Sequence, residues 1–130
     1  MIYLDSSALI RLLDSRHPSH RSLLDYLDEG DRWRELVTSA LTSVEVARVA
    51  VRERNPEIRA RADEFLGAIT VIPITAEVVA RARGIAAQVK SLDAIHLGTA
   101  SEIRATELLG YDRRMQAVWA EELGGAAASP

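Results

Sequence analysis

The chain contains no cysteine, and this absence excludes disulfide bonds and metal sites built from thiolates. It has no apolar run near the roughly 18 residues that a membrane-spanning helix requires, because Glu45 and Arg48 interrupt its longest apolar region. No basic segment precedes an apolar one at the start, as one would in a secretory signal. Together these absences predict a cytoplasmic protein.

A surplus of positive charge is also missing, since the formal net charge is -3 at pH 7. Proteins that coat nucleic acid by electrostatic attraction usually carry such a surplus, so this class is disfavoured. The 16 basic residues comprise 15 arginines and one lysine, Lys90. A skewed genome composition would account for this bias, and so would selection for the planar guanidinium group that binds phosphate.

The apolar content is sufficient for one core, because 130 residues of which 48% are apolar predict a single domain. Turn residues divide the chain into short strands and helices. The predicted strands are "IYL", "ELVTSAL", "AITVIPI" and "TELLGY". The predicted helices are "SALIRLL", "HRSLLDYLDEG", "SVEVARVAVRER", "PEIRARADEFLG", residues 75 to 90, a helix starting near Leu92, and "RRMQAVWAEEL". This alternation predicts an α/β fold with a parallel sheet and helices on both faces.

Four acidic residues fall where such a sheet binds ligands, beyond the carboxyl ends of its strands. Asp5 follows the first strand and Asp112 follows the fourth. Glu45 and Asp93 lie in the first turns of two predicted helices, where backbone N–H groups favour negative charge. The topology therefore predicts that four carboxylates from distant segments meet at one edge.

Each acid also has a purely structural interpretation. Asp5 and Asp112 are suitable N-cap residues for the helices that follow them. Glu45 is three residues after Thr42, which is the spacing of a capping box. Asp93 would complement the dipole of its helix. Independent caps would have no reason to converge on one edge, and convergence favours a functional cluster.

The four segments carry a family resemblance when they are taken together. "YLDSSALI", "TSVEVARV", "LDAIHLGTA" and "LLGYDRRM" resemble, in order and spacing, the motifs of PIN-domain nucleases. In this compact form the chain is similar to the VapC toxins of toxin–antitoxin pairs. The matching residues are Asp5 with Ser7, Glu45, Asp93 and Asp112.

The resemblance implies a PIN-like nuclease domain over residues 1–123 that cleaves RNA and leaves a 5′-phosphate and a 3′-hydroxyl. Clustered carboxylates suit hard cations such as Mg²⁺ or Mn²⁺. We expect Asp5 and Asp93 to bind the metal directly, Glu45 and Asp112 to act through water, and Ser7 to hydrogen bond within the site. The resemblance also implies a homodimer and a cognate antitoxin partner.

Two features depart from the family pattern. Gly110 stands where the family usually has Thr or Ser, so a hydroxyl near the last acid is missing. The family sheet often ends in a short fifth strand, whereas this chain continues into "GGAAASP". We therefore expect four strands, or five if a closing strand forms, and a disordered tail over residues 124–130.

The sequence also bears on three other functional classes. A phosphoaspartate phosphatase needs a second Asp where Ser7 stands, and a receiver domain needs paired acids and a late Lys, so both are disfavoured. A PIN-like module that binds a partner without catalysis is the remaining alternative.

His96, three residues after Asp93, is expected to be a packed or hydrogen-bonded residue and not a base or ligand.

Overall fold

A computed structural model describes all 130 residues and contains one sheet of five short parallel strands. The strands are β1 (Ile2–Leu4), β2 (Leu36–Ser39), β3 (Thr70–Ile72), β4 (Glu107–Leu109) and β5 (Ala126–Ala128). They lie in the order β3-β2-β1-β4-β5, and every neighbouring pair is parallel. The carboxyl end of β1 therefore lies in the middle of one sheet edge.

Seven helices connect and cover these strands, which confirms the predicted alternation. They are α1 (Ser6–Leu13), α2 (His20–Asp28), α3 (Ala40–Arg52), α4 (Pro56–Ala68), α5 (Ala76–Arg83), α6 (Ser91–Glu102) and α7 (Arg113–Glu122). A segment of 3₁₀ turns, Glu29–Glu35, joins α2 to β2. None of the helices has the length and apolar character needed to cross a membrane.

The sheet separates two apolar cores because successive strand residues point to opposite faces. Ile2 and Leu4 of β1 pack with residues of α1 to α4, whereas Tyr3 packs with residues of α6 and α7. On the second face α5 lies very close to α6. A Cβ at Gly98 would be 2.8 Å from the carbonyl oxygen of Val78, so this crossing requires glycine.

The start of α3 and the end of α5 differ most from the predicted helix boundaries. α3 begins at Ala40, earlier than expected, because the Ser39 side chain accepts from the Leu41 N–H and caps it. α5 ends at Arg83 and does not continue to residue 90. The N–H groups of Gly84 and Ile85 still donate to carbonyls of α5, but those of Ala86 and Ala87 donate to the Glu122 carboxylate. Such a contact between distant segments leaves no local sequence signal.

The segment 124–130, expected to be a disordered tail, contains β5 instead. The strand pairs with β4, and the Gly110 N–H donates to the Ala128 carbonyl at 3.1 Å. Trp119 Nε1 donates to the Ala126 carbonyl at 2.8 Å, and Gln116 Nε2 donates to the Ala128 carbonyl at the same distance. Main-chain pairing and these two side chains hold a run of alanines that has little strand preference of its own.

Candidate active site

Asp5 follows β1 directly and is the N-cap residue of α1. Its Oδ1 accepts from the Ala8 N–H at 2.9 Å and from the Ser7 hydroxyl at 2.6 Å. Burial raises the pKa of Asp5, although these two hydrogen bonds act to lower it. The capping interpretation is therefore confirmed, but the hydrogen bonds use only one of the two carboxylate oxygens.

The Ser7 hydroxyl links Asp5 to the segment after β4, and Gly110 in that segment lies close to the Asp5 carboxylate. The Ser7 hydroxyl, which donates to Asp5, accepts from the Tyr111 N–H at 2.9 Å. A Cβ at residue 110 would lie 2.6 Å from the Asp5 Cγ, whereas carbon atoms in contact are about 3.5 Å apart. The absence of Ser or Thr at position 110 thus has a steric reason in this chain.

Glu45 lies in the second turn of α3, so its predicted place in the first turn is wrong. Thr42 is not a cap residue either, and the capping box does not form. The Glu45 Oε1 accepts from the Ser6 hydroxyl at 3.0 Å and from His96 Nε2. Burial acts to raise the pKa of Glu45, but the hydrogen bonds from His96 and Ser6 act to lower it, and the net effect is a lowered pKa.

Asp93 and Asp112 line the same open pocket of about 480 Å³. Asp93 lies in the first turn of α6, as predicted, and Asp112 caps α7 through the Met115 N–H at 2.9 Å. Burial, and after it the nearby Asp112 carboxylate, raises the pKa of Asp93. Lys90 and Arg114 line the same pocket, so positive charge stands beside the two acids.

The structure brings the predicted acids to one edge of the sheet but does not join them into a single ligand set. Besides burial, the carboxylates of Asp112 and Glu45 both act to raise the pKa of Asp93, so these three acids are near one another. However, no group of three or more Asp, Glu or His side chains has an arrangement that could hold a metal ion. The assignment of metal ligands stays a prediction.

The chemistry of the donor set nevertheless fits a hard divalent cation. Asp5 Oδ2, Glu45 Oε2 and Asp112 Oδ2 make no hydrogen bond, because the bonds described above all go to the other oxygen. Asp93 has no hydrogen-bond partner on either oxygen. Hard cations take such carboxylate oxygens together with water.

Tyr3 and His96 form a buried extension of the site that the sequence analysis missed in part. The Tyr3 hydroxyl lies 2.6 Å from His96 Nδ1, and both side chains are buried. The expectation that His96 is a hydrogen-bonded residue is confirmed, whereas the sequence analysis gives Tyr3 no role beyond its strand. The Tyr3 hydroxyl lies in a predicted buried strand, and a buried tyrosine hydroxyl usually has a hydrogen-bond partner. This is the sequence feature that could have identified it.

Comparison with known proteins agrees with this geometry. Residues 2–120 match the family model described as PIN domain. The chain is 37% identical over 134 residues to ribonuclease VapC47 of Mycobacterium tuberculosis (strain CDC 1551 / Oshkosh), with 100% of this chain and 97% of that protein covered.

Two solved structures share the fold. A toxin–antitoxin complex from Klebsiella pneumoniae has a TM-score of 0.75 at 23% identity, over 100% of this chain and 98% of that one. Mycobacterium tuberculosis VapC20, described as a toxin that cleaves the sarcin–ricin loop, has a TM-score of 0.71 at 16% identity and covers 90% and 94%. The chain therefore belongs to the PIN-domain family and to its VapC ribonucleases.

Proposed function

We propose that this protein is an endoribonuclease toxin that depends on Mg²⁺ or Mn²⁺ and is neutralised by a cognate antitoxin. The observation that carries the proposal is the open pocket that Asp93 and Asp112 line together with the basic residues Lys90 and Arg114. Carboxylates can hold the cation used in metal-assisted cleavage of a phosphodiester, and basic side chains can bind its phosphate group. The family membership and the names of the relatives support the same activity.

The four acids have different roles in this proposal. Asp5 and Asp93 bind the metal directly, and Glu45 and Asp112 act through water. Ser7 holds Asp5 in place, since its hydroxyl donates to the Asp5 carboxylate and accepts from the Tyr111 N–H. When bound, the divalent ion lowers the pKa of a water molecule and stabilises charge on the phosphoryl oxygens.

Cleavage of a defined RNA by purified protein tests the activity. We expect cuts with Mg²⁺ or Mn²⁺, none in excess EDTA, and products with a 5′-phosphate and a 3′-hydroxyl. Asp93→Asn should abolish the cuts. Asp63→Asn, the same change at an exposed acid of α4 that pairs with Arg59, should keep them. Cleavage in EDTA that Asp93→Asn retains would contradict the proposal.

The partners proposed from the family are an RNA substrate, a second copy of the chain and an antitoxin. An antitoxin arginine near the acids would replace the cation through charge-assisted hydrogen bonds. Co-expression with the neighbouring small reading frame should suppress cleavage, and substitution of that arginine should weaken suppression. Light scattering should give the mass of a dimer. The cytoplasm is the compartment in which we expect the toxin to act.

The alternative is a PIN-domain protein that binds the antitoxin but does not cleave RNA. The same assay distinguishes it from the nuclease. Binding of the antitoxin without any metal-dependent cut would favour this alternative and contradict the proposed catalysis.

A further inference from the structure

We propose that Tyr3 and His96 are positioning residues that fix the Glu45 carboxylate, which would hold the metal through a water molecule. This inference rests on the nuclease function proposed above. It concerns a row of three side chains on three different elements. Tyr3 lies on β1, His96 on α6 and Glu45 on α3. The Tyr3 hydroxyl is 2.6 Å from His96 Nδ1, and His96 Nε2 contacts Glu45 Oε1.

The direction of the hydrogen bonds follows from the chemistry of the three groups. An ionised carboxylate only accepts, so His96 Nε2 carries a proton and donates it to Glu45. The Ser6 hydroxyl donates to the same Glu45 oxygen, and hydrogen bonds to a carboxylate favour its ionised form. Nδ1 then accepts from Tyr3, whose hydroxyl keeps its proton because burial raises its pKa. Each polar group in the row has a partner.

The cost of burying these groups is the second argument. Tyr3 is 0% and His96 is 2% exposed, and Tyr3 packs among apolar residues such as Leu97 and Leu108. A buried polar group costs about 1–3 kcal/mol when it loses its partner. Phe and Leu would fill these places without that cost, so packing alone does not explain the pair.

The geometry at Glu45 shows what the pair does. Oε1 accepts from both His96 and Ser6, and Oε2 is the oxygen left for a cation or its water. Glu45 is not fully buried, because 26% of its side chain is exposed. An unrestrained Glu of this kind would lose side-chain entropy on binding an ion. The two donors reduce this loss because they restrict the carboxylate beforehand.

The test compares Tyr3→Phe with Tyr26→Phe. The first change removes one hydroxyl next to His96 and leaves the ring that fills the core. The second removes a hydroxyl bonded to Glu107, at the start of β4 and at the opposite edge of the sheet. Both variants lose one hydrogen bond, so any effect specific to the site must appear only in the first.

Three measurements are made on each protein. Isothermal titration with Mn²⁺ should show affinity reduced about 10- to 100-fold in Tyr3→Phe, the range found when groups that orient metal ligands are removed. At saturating Mn²⁺, kcat should fall while the KM for RNA stays constant. The ¹⁵N spectrum of the His96 ring should show a proton on Nε2 in the wild type and a shifted Nδ1 signal in Tyr3→Phe. Tyr26→Phe should match the wild type in all three.

The outcomes separate this inference from the proposed function. Wild-type protein that binds Mn²⁺ but does not cut RNA contradicts the nuclease, while the affinity comparison still tests the positioning role. Equal Mn²⁺ affinity and equal kcat in Tyr3→Phe and wild type would overturn the inference. Wild-type protein that binds no Mn²⁺ would overturn both.

Discussion

Gly110 and Asp5 are so close that a Cβ on Gly110 would stand 2.6 Å from the Asp5 Cγ. Gly110→Ala should therefore displace the carboxylate or the end of β4, lower the stability by about 1–3 kcal/mol as other overpacked sites do, and reduce cleavage. Urea unfolding and the RNA assay measure both effects. Gly67→Ala is the control, because nothing lies within 4 Å of that position in α4.

Ser7→Ala should lower both the stability and the cleavage rate more than an ordinary surface substitution does. It removes the donor to Asp5 and leaves the Tyr111 N–H without an acceptor, at a cost of about 1–3 kcal/mol for the unpaired group. We expect a lower free energy of unfolding and slower cleavage. Ser22→Ala, which loses only a bond to the Ser19 carbonyl, should behave as wild type. A Ser7→Ala variant with unchanged stability and rate would show that this bridge is dispensable.

Asp93→Asn should not destabilise the metal-free protein. Burial, and after it Asp112, raises the pKa of Asp93, so the folded chain holds this proton more tightly than the unfolded chain. The ionised carboxylate then costs stability once the pH rises through the folded pKa. At pH 7 in chelator the variant should melt no lower than wild type, and added Mg²⁺ should raise the Tm of wild type only. A lower Tm in chelator with equal gains from Mg²⁺ would make Asp93 a structural residue.

Removal of residues 124–130 should destabilise the fold, because it deletes β5 and exposes the edge of β4. The lost partners include the acceptors of Trp119 Nε1 and Gln116 Nε2. At about 0.5–1.5 kcal/mol for each hydrogen bond, the loss should reach about 2 kcal/mol or more. A chain shortened by only Ser129 and Pro130 is the control. Equal melting temperatures for the two shortened chains would mean that β5 contributes nothing.

The parts of the fold that follow from local pattern could be predicted from the sequence. Asp5 and Asp112 each follow a short apolar strand and begin a helix, and both proved to be N-caps at the same sheet edge. Parallel topology brings such positions together irrespective of their separation along the chain.

The parts that depend on distant partners could not be predicted. The alanines of β5 carry no alternating pattern, and their partners lie on β4 and α7. The structural alternative for Glu45 was a capping box within its own helix, but its partners Ser6 and His96 come from α1 and α6. A carboxylate has the same local sequence whether it bonds to its own helix or to another, so only the fold distinguishes these cases.

The parallel direction of β5 has a practical consequence for engineered versions of the protein. Since Ala128 pairs with Leu109, just before Gly110, any residues fused beyond the strand would emerge at the same edge as Asp5. Met1, by contrast, precedes β1 and lies at the opposite edge. Affinity tags and fluorescent labels therefore belong at the amino terminus, where they would not obstruct RNA or an antitoxin.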